Sequence, residues 1–348
     1  MRNVFLKDYT INELKTIISD LGEPKFRGAQ IFEWMYQKKV ESFENMTNLP
    51  KELRLKLKEK TILNTLTVDY ENKLESRHDG TIKFLSRLND GVGIETAIMK
   101  YQYGNTVCIS SQAGCNMNCA FCASGVNGKD RDLTPGEMID QFIVAEKLLS
   151  KDETISNIVV MGSGEPLENL ENLIQFIKIV NHDKGLNIGQ RNITVSTCGL
   201  VPEIKKLANE KYQVNLAISL HAATNSLRDK LVPINKKYSI ESLMEACNYY
   251  FNKTKRRITI EFILLRDVNE SKHQAEQLAD LLNSQDMLVH INLIPFNTVK
   301  ESQFKAPKYD RIIKFKNILK NKGINTTIRQ ERGSDIEGAC GQLRSDKR

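Results

Sequence analysis

Apolar residues first recur at helical spacing. Ile11, Leu14, Ile17, Ile18 and Leu21 follow a Thr10–Glu13 capping box until Gly22 and Pro24 interrupt them. A second helix is predicted from about Phe26 through Tyr36, with Phe32, Trp34 and Tyr36 as core or domain-contact residues rather than base-stacking platforms. Pro50 opens a third, Lys51 to Lys60, whose basic excess reads as a solvated face or a phosphate-facing one. The period then becomes two. Ile82, Phe84 and Leu88 alternate into the turn Asn89-Asp90-Gly91, and Val92, Ile94, Thr96 and Ile98 alternate out of it, which predicts a hairpin. Glu95 falls on the opposite face of the second strand, where a lone glutamate ordinarily meets solvent.

Beyond residue 101 short apolar runs alternate with amphipathic helices. Strands are predicted at Cys108 to Ser110, Ile158 to Met161, Ile193 to Thr197, Val214 to Ser219, Ile258 to Ile263 and Val289 to Ile294. The first helix among them carries a second capping box, Thr134-Pro135-Gly136-Glu137. Six βα units fit the length, so the fold class is α/β, a partial (β/α)6 barrel of TIM type preceded by a small helical domain and a β-hairpin. The expected division is 1–65 helical domain, 66–101 hairpin connector and 102–348 barrel.

Composition narrows the class. A chain of 348 residues, 40% hydrophobic, can bury a large core and carry an accessory domain. No apolar run approaches the ~20 residues that span a bilayer, and nothing at the N-terminus resembles a secretory signal, so a cytoplasmic enzyme is expected. The formal charge of +7 favours polyanionic partners but equally suits a solvated surface.

The chemistry concentrates in Cys108-Ile109-Ser110-Ser111-Gln112-Ala113-Gly114-Cys115-Asn116-Met117-Asn118-Cys119-Ala120-Phe121-Cys122. Cys115, Cys119 and Cys122 can turn three thiolates toward a common point, which suits an iron–sulfur cluster with one iron left open. Structural zinc would want a fourth close ligand, and no second Cys-x-x-Cys or His-x-His pair follows. A disulfide staple fits a reducing compartment poorly. Cys108 reads either as a fourth ligand or as a small buried thiol. The predicted strands deliver Gly162-Ser163-Gly164-Glu165-Pro166, Ser196, Ser219-Leu220-His221 and Pro295-Phe296-Asn297 to the same carboxyl-end wall. Taken singly these are turn glycines and helix caps; together, backbone groups at Gly162 and Gly164 with Ser196, Ser219 and Asn297 suit a small zwitterion that chelates the open iron.

Cys115-x-x-x-Cys119-x-x-Cys122 resembles the signature of radical S-adenosylmethionine enzymes. Cys108 to Cys115, Ser219-Leu220-His221, Val232-Pro233-Ile234-Asn235, Asn292-Leu293-Ile294-Pro295 and Ala339-Cys340-Gly341-Gln342-Leu343 resemble the RlmN/Cfr family of RNA methyltransferases over essentially the whole chain. The resemblance implies a [4Fe-4S] cluster on Cys115, Cys119 and Cys122 and two S-adenosyl-L-methionines per turnover. It further implies adenosylmethionine contacts from Gly164, Glu165, Ser196, Ser219, Leu220, His221 and Asn297. By the same resemblance Cys340 is the methyl-carrying cysteine, Glu95 the base that removes the adenine C2 proton, and Cys108 the thiol that resolves the adduct through a transient disulfide. The implied substrates are 23S rRNA and tRNA, contacted by the N-terminal domain. A flavodoxin or ferredoxin electron donor, a monomeric state and no membrane partner complete the expectation. Methylation at adenine C8, the Cfr chemistry that confers antibiotic resistance, is the alternative. Two places depart from the common family pattern: Ser163 stands where methionine is usual, and Glu337-Gly338 where aspartate and alanine are usual. The first is expected to reshape the adenosylmethionine pocket slightly, the second to loosen the loop that carries Cys340. Cys198 and Cys247 match nothing in the implied chemistry and are expected to be packing residues.

Overall fold

The fold begins with helices whose ends and faces follow from local sequence. The computed structural model describes residues 4–68, 73–299 and 302–343, with the backbone alone at 345–346. Helices α1 (Ile11–Asp20), α2 (Phe26–Tyr36) and α3 (Lys51–Lys60) form the N-terminal unit, and the Thr10–Glu13 capping box closes the first turn of α1. Their inward stripes bury Ile11, Leu14, Ile18, Ile31, Phe32, Met35 and Tyr36. Trp34 is only half-buried and donates its indole N–H to Asn48 Oδ1 at 2.6 Å. In α3 only Leu53 and Leu57 are buried, so the remaining residues, half of them lysines, are left near water.

Strands β1 (Ile82–Leu88) and β2 (Gly93–Tyr101) form the predicted hairpin, and β2 turns again into β3 (Gly104–Ile109), also antiparallel. One sheet therefore runs unbroken from the hairpin into the barrel. From β3 the chain continues in parallel through β4 (Ile155–Val160), β5 (Ile193–Thr197), β6 (Asn215–Ser219), β7 (Ile258–Leu264), β8 (Val289–Pro295) and β9 (Thr326–Ile328). The crossovers are α4 (Pro135–Lys147), α5 (Leu170–Asn181), α6 (Val201–Asn209), α7 (Asn225–Leu231) with α8 (Ile240–Thr254), α9 (Lys272–Asn283) and α10 (Tyr309–Asn321).

Six crossovers make the predicted partial (β/α)6 barrel, and β9 adds a seventh parallel strand at its edge. Three residues, two of them threonine, left no apolar run by which to foresee β9. The sheet does not close on itself: β9 ends one side and the short strand Leu66–Val68 the other. Phe142, Phe176, Phe262 and Phe315 are fully buried, each worth roughly 1.5–3 kcal/mol relative to exposure. Among the described residues no helix is long and apolar enough to cross a membrane.

Candidate functional site

The cysteine loop is held by tight backbone packing. Gly114 adopts φ +78°, and a Cβ there would lie 1.9 Å from the carbonyl oxygen of Gly128, so a side chain would force the loop away from the strand Lys129–Asp132. Gln112 joins this loop to the next: its Nε2 donates to Asp132 at 2.7 Å and to Glu168 at 2.8 Å, while its Oε1 accepts from the Glu165 amide at 2.8 Å. A Cβ on Gly164, at φ +106°, would meet Gln112 at 2.5 Å, so this glycine also permits a close approach.

Cys115, Cys119 and Cys122 line one cleft at the carboxyl ends of the strands. Burial pushes the Cys115 thiol up to about 12 and the Cys119 thiol well above its ordinary value, with the neighbouring thiols adding to both shifts. Metal binding reverses that penalty, because thiolate is the ligand form. No three of the described His, Cys, Asp or Glu side chains crowd around a single ion position. Three cleft-lining thiols at the spacing Cys-x-x-x-Cys-x-x-Cys suit an iron–sulfur cluster.

The strand ends supply the rest of the wall. Ser196 and Ser219 line the cleft with their hydroxyls 3.4 Å apart, and Gly164 lines it through its backbone. Glu165 also lines it, but its carboxylate is taken by the amides of Leu167 at 3.0 Å and Cys198 at 2.8 Å, and burial raises its pKa. His221 sits at a left-handed φ of +60°; its Nδ1 accepts from the Ile263 amide at 3.0 Å, and its ring meets Phe121 edge-on at 4.6 Å. Leu220, by contrast, is packed in the main core and does not line the cleft. Ser163 is buried and does not line it either, although Gly162 and Gly164 on both sides do.

A C-terminal loop delivers Cys340. Asn297 Nδ2 donates to the Cys340 carbonyl at 3.1 Å, the Ala123 amide to Gly341 at 2.9 Å, and the Ser124 hydroxyl to Leu343 at 2.8 Å. Asn297 thus holds the Cys340 peptide and lies outside the cleft lining. The loop also takes a bond from Lys83 Nζ to the Glu337 carbonyl at 3.2 Å, so the departure at Glu337 leaves an anchored backbone. The exposed surface of Cys340 opens on the cleft, and burial still raises its thiol pKa, an effect the Arg329 guanidinium counters.

Cys108 belongs to a small apolar cluster with Ala97, Met99 and Leu343. Its thiol is pushed up to about 12 by burial and by the nearby Cys340, while Arg329 opposes the shift. Glu95 shares that sheet face: Cys108 pairs directly with Ala97, and Glu95 lies two residues along β2. Its carboxylate is ion-paired with Lys83 at 2.9 Å, with a fifth of its side chain exposed. The expected solvent-facing glutamate is therefore a partly buried one beside the Cys108 cluster. Neither Glu95 nor Cys108 lines the cysteine cleft itself. Cys198 does line it, and Cys247 is wholly buried in the core.

Three residues at this site escaped the sequence reading. Glu261 is buried in β7 with its pKa raised by burial, and Arg329 lies 3.9 Å from it, its charge held against burial by Cys340, Glu261 and Cys108. A lone carboxylate inside the apolar run Ile258 to Leu264 was the available signal. Arg228 is fully buried and donates to the carbonyls of Cys198, Ser219 and Leu220 and to Asn235 Oδ1.

Comparison with known proteins agrees with this architecture. Residues 4–63 match the family model for the ribosomal RNA large subunit methyltransferase N-terminal domain, and residues 109–282 match that of the radical SAM superfamily. The chain is 60% identical over 340 residues to the probable dual-specificity RNA methyltransferase RlmN of Natranaerobius thermophilus, covering 98% of this chain and 97% of that one. It is 48% identical to the like-named protein of Bacillus subtilis, over 98% of this chain and 93% of the other. The crystal structure of a radical SAM methyltransferase from Sphaerobacter thermophilus superposes with a TM-score of 0.94 at 44% identity, covering 98% of this chain and 99% of that one. With near-complete coverage in both sequence and structure, the chain belongs to the RlmN family of radical S-adenosylmethionine methyltransferases.

Proposed function

We propose that this protein methylates C2 of adenine in 23S rRNA and tRNA, using Cys340 as the carrier of the transferred carbon. The observation that carries this reading is the docking of the Cys340 loop onto the cysteine loop, which opens Cys340 to the cleft shared by Cys115, Cys119 and Cys122, with Cys108 close by. The relatives' names, which specify a dual-specificity RNA methyltransferase, support the substrate class.

Cys115, Cys119 and Cys122 would hold a [4Fe-4S] cluster, and Gly164, Ser196 and Ser219 would face adenosylmethionine beside it. Glu165 and His221 also line that pocket, whereas Leu220 and Asn297 act on it indirectly, Leu220 through its carbonyl bond to Arg228 and Asn297 through the Cys340 peptide. When bound, the two groups supply an electrophilic methyl and one-electron hydrogen abstraction. Adenine C2 has no lone pair directed outward, so direct displacement at a methyl sulfonium is closed to it. Cys340, as thiolate, takes the methyl group by displacement. Once that methyl group has given up one hydrogen atom, its carbon bonds to C2, joining RNA and protein. Glu95 accepts the C2 proton, with Lys83 holding the carboxylate. Cys108, as thiolate, attacks Cys340 sulfur; the carbon–sulfur bond breaks, and the freed carbon takes a proton to become the product's methyl group. The adduct's unpaired electron passes to a one-electron acceptor, and the two cysteines are left as a disulfide that an external dithiol reductant reopens.

The same reading takes 1–65 as the RNA-contacting unit, 66–101 as the connector and 102–348 as the catalytic barrel. It further takes the protein as a cytoplasmic monomer served by a flavodoxin or ferredoxin.

The test separates the two thiols. Cys340→Ala should take no methyl group and form no RNA adduct, whereas Cys108→Ala should be methylated on Cys340 and then accumulate protein covalently joined to RNA. Denaturing gels with mass spectrometry of the crosslinked peptide read this out; normal turnover by Cys108→Ala would end the assignment. Mass spectrometry of the product nucleoside decides C2 against C8.

A further inference from the structure

Gln112 has no exposed surface, and every polar group of its side chain is engaged. It stands three residues before Cys115, at the start of the cysteine loop. Its amide nitrogen serves two separate carboxylates, Asp132 at 2.7 Å and Glu168 at 2.8 Å, while its oxygen accepts from the Glu165 amide at 2.8 Å. One side chain therefore joins three segments: the cysteine loop, the strand Lys129–Asp132 that pairs with it, and the turn 162–168 that follows β4. Lys129 completes the group from the outer side, its Nζ 3.3 Å from Asp132 and 3.0 Å from Glu168.

Two of these segments are walls of the cleft. Cys115, Cys119 and Cys122 come from one and Gly162, Gly164, Glu165 and Pro166 from the other, whereas Gln112 itself lies outside the cleft lining. Backbone bonds fasten the two walls as far as residue 163: the Gly162 amide donates to Ile109 at 3.0 Å and the Ser111 amide to Ser163 at 2.9 Å. Past that point Gly164 packs directly on the Gln112 side chain, and the Glu165 amide is held by it. A small zwitterion that bridges both walls tolerates little change in their spacing, since such sites work only within about 0.5 Å of their productive geometry. A buried, fully engaged amide meets that demand, because a shift of either wall orphans one of its partners. Neither obvious replacement does the same. A carboxylate would set like charge against Asp132 and Glu168, and an apolar side chain would leave the Glu165 amide unpaired.

We propose that Gln112 is a positioning residue for the amino-acid end of adenosylmethionine: by spanning the cysteine loop and the turn 162–168 it sets the spacing between the three thiols and the backbone at Gly164. The proposal rests on the radical-enzyme reading above and adds to it a residue that acts from outside the cleft. Its effect is confined to the amino-acid end, because the hydroxyls of Ser196 and Ser219 belong to strands that Gln112 does not touch.

The experiment uses the full-length protein with its cluster reconstituted and measures iron content together with ligand affinity by equilibrium dialysis. Two ligands are compared without turnover: S-adenosylhomocysteine, which keeps the amino-acid end and lacks the transferable methyl group, and methylthioadenosine, which lacks the amino-acid end. Gln112→Met should keep the iron of the wild type, bind S-adenosylhomocysteine about tenfold more weakly, and bind methylthioadenosine as the wild type does. Gln112→Glu keeps the shape and the acceptor for the Glu165 amide, and should lose a similar factor through repulsion from Asp132 and Glu168. Combining Gln112→Glu with Glu168→Gln exchanges amide and carboxylate across the same bond, and most of the affinity should return. Wild-type affinity for S-adenosylhomocysteine in both single variants would overturn the proposal. So would an equal loss for the two ligands, which marks a general lesion of the pocket, or a loss of iron, which marks a role in holding the cysteine loop alone. Failure of the wild type to bind S-adenosylhomocysteine would instead overturn the functional reading on which the proposal rests.

Discussion

His221 combines a strained backbone position with a buried, uncharged ring. Burial, reinforced by the charge of Arg228, pulls its pKa down to about 3 from an ordinary 6.5. Between those values the unfolded chain binds a proton that the folded one refuses. Stability from this group is therefore complete above pH 6.5 and is lost as pH falls toward 3, by about 1.36 kcal/mol per pH unit. Asparagine tolerates a left-handed φ and offers an oxygen to the Ile263 amide, but it does not titrate. His221→Asn should thus flatten the dependence of unfolding free energy on pH by about one proton between pH 6.5 and 4. Urea unfolding of the cluster-free protein at several pH values measures this. A slope identical to that of the wild type would mean that the ring is protonated in the fold.

At the scale of elements, Arg228 of α7 ties the end of β6 and the segment after β5 to one guanidinium, through three carbonyls and Asn235. Replacing it with methionine fills similar volume but orphans four buried acceptors, so Arg228→Met should lower stability by about 3–5 kcal/mol in denaturant titrations. Retention of full stability would show that these carbonyls find other donors. Such ties were hard to read from the chain, because Arg228 sits in the sequence as one more charged helix residue. The helices and most strands were legible, since capping boxes at Thr10 and Thr134 and alternation at Ile82 to Ile98 are local patterns that the fold keeps. The three cysteines were legible by spacing alone. The pairing of Cys108 with the C-terminal loop was not, because it is a contact across more than two hundred residues, and only resemblance suggested it. β9 and the buried Glu261–Arg329 pair likewise depend on tertiary neighbours that no short window contains.

At the scale of the whole molecule, the N-terminal unit is joined to the barrel by a buried polar network as well as by apolar packing. Lys7 is almost wholly buried and ion-paired with Asp140 of α4, whose other oxygen accepts from the Thr65 amide at 2.8 Å and hydroxyl at 2.7 Å. Tyr36 of α2 donates to the Lys7 carbonyl at 3.1 Å, and Asp8 accepts from the Gly136 amide at 2.8 Å. Around this core lie ion pairs between Lys39 and Glu146, and between Lys147 and Glu41 at 2.6 Å. Removing one member of a buried pair leaves the other charge uncompensated, so Lys7→Met should cost about 3–5 kcal/mol at the junction, whereas the water-accessible Lys147–Glu41 pair contributes at most about 1 kcal/mol. Thermal unfolding followed separately by Trp34 fluorescence in the N-terminal unit and by circular dichroism should then split. The fluorescence midpoint should fall several degrees while the bulk transition moves less. A coincident shift of both signals would mean that the two units unfold as one body with the Lys7–Asp140 pair distributed through it. RNA affinity bears on the same junction. In α3, Lys56 and Lys58 are paired with Glu23 and Glu44, which leaves Lys51, Arg54 and Lys60 as its cations for phosphates. Binding by the whole protein should weaken as salt rises, and Lys7→Met should weaken it further if the N-terminal unit must be docked to present its surface in register with the cleft. Affinity that is flat across a severalfold rise in salt would remove the electrostatic role of this unit and leave placement to the barrel alone.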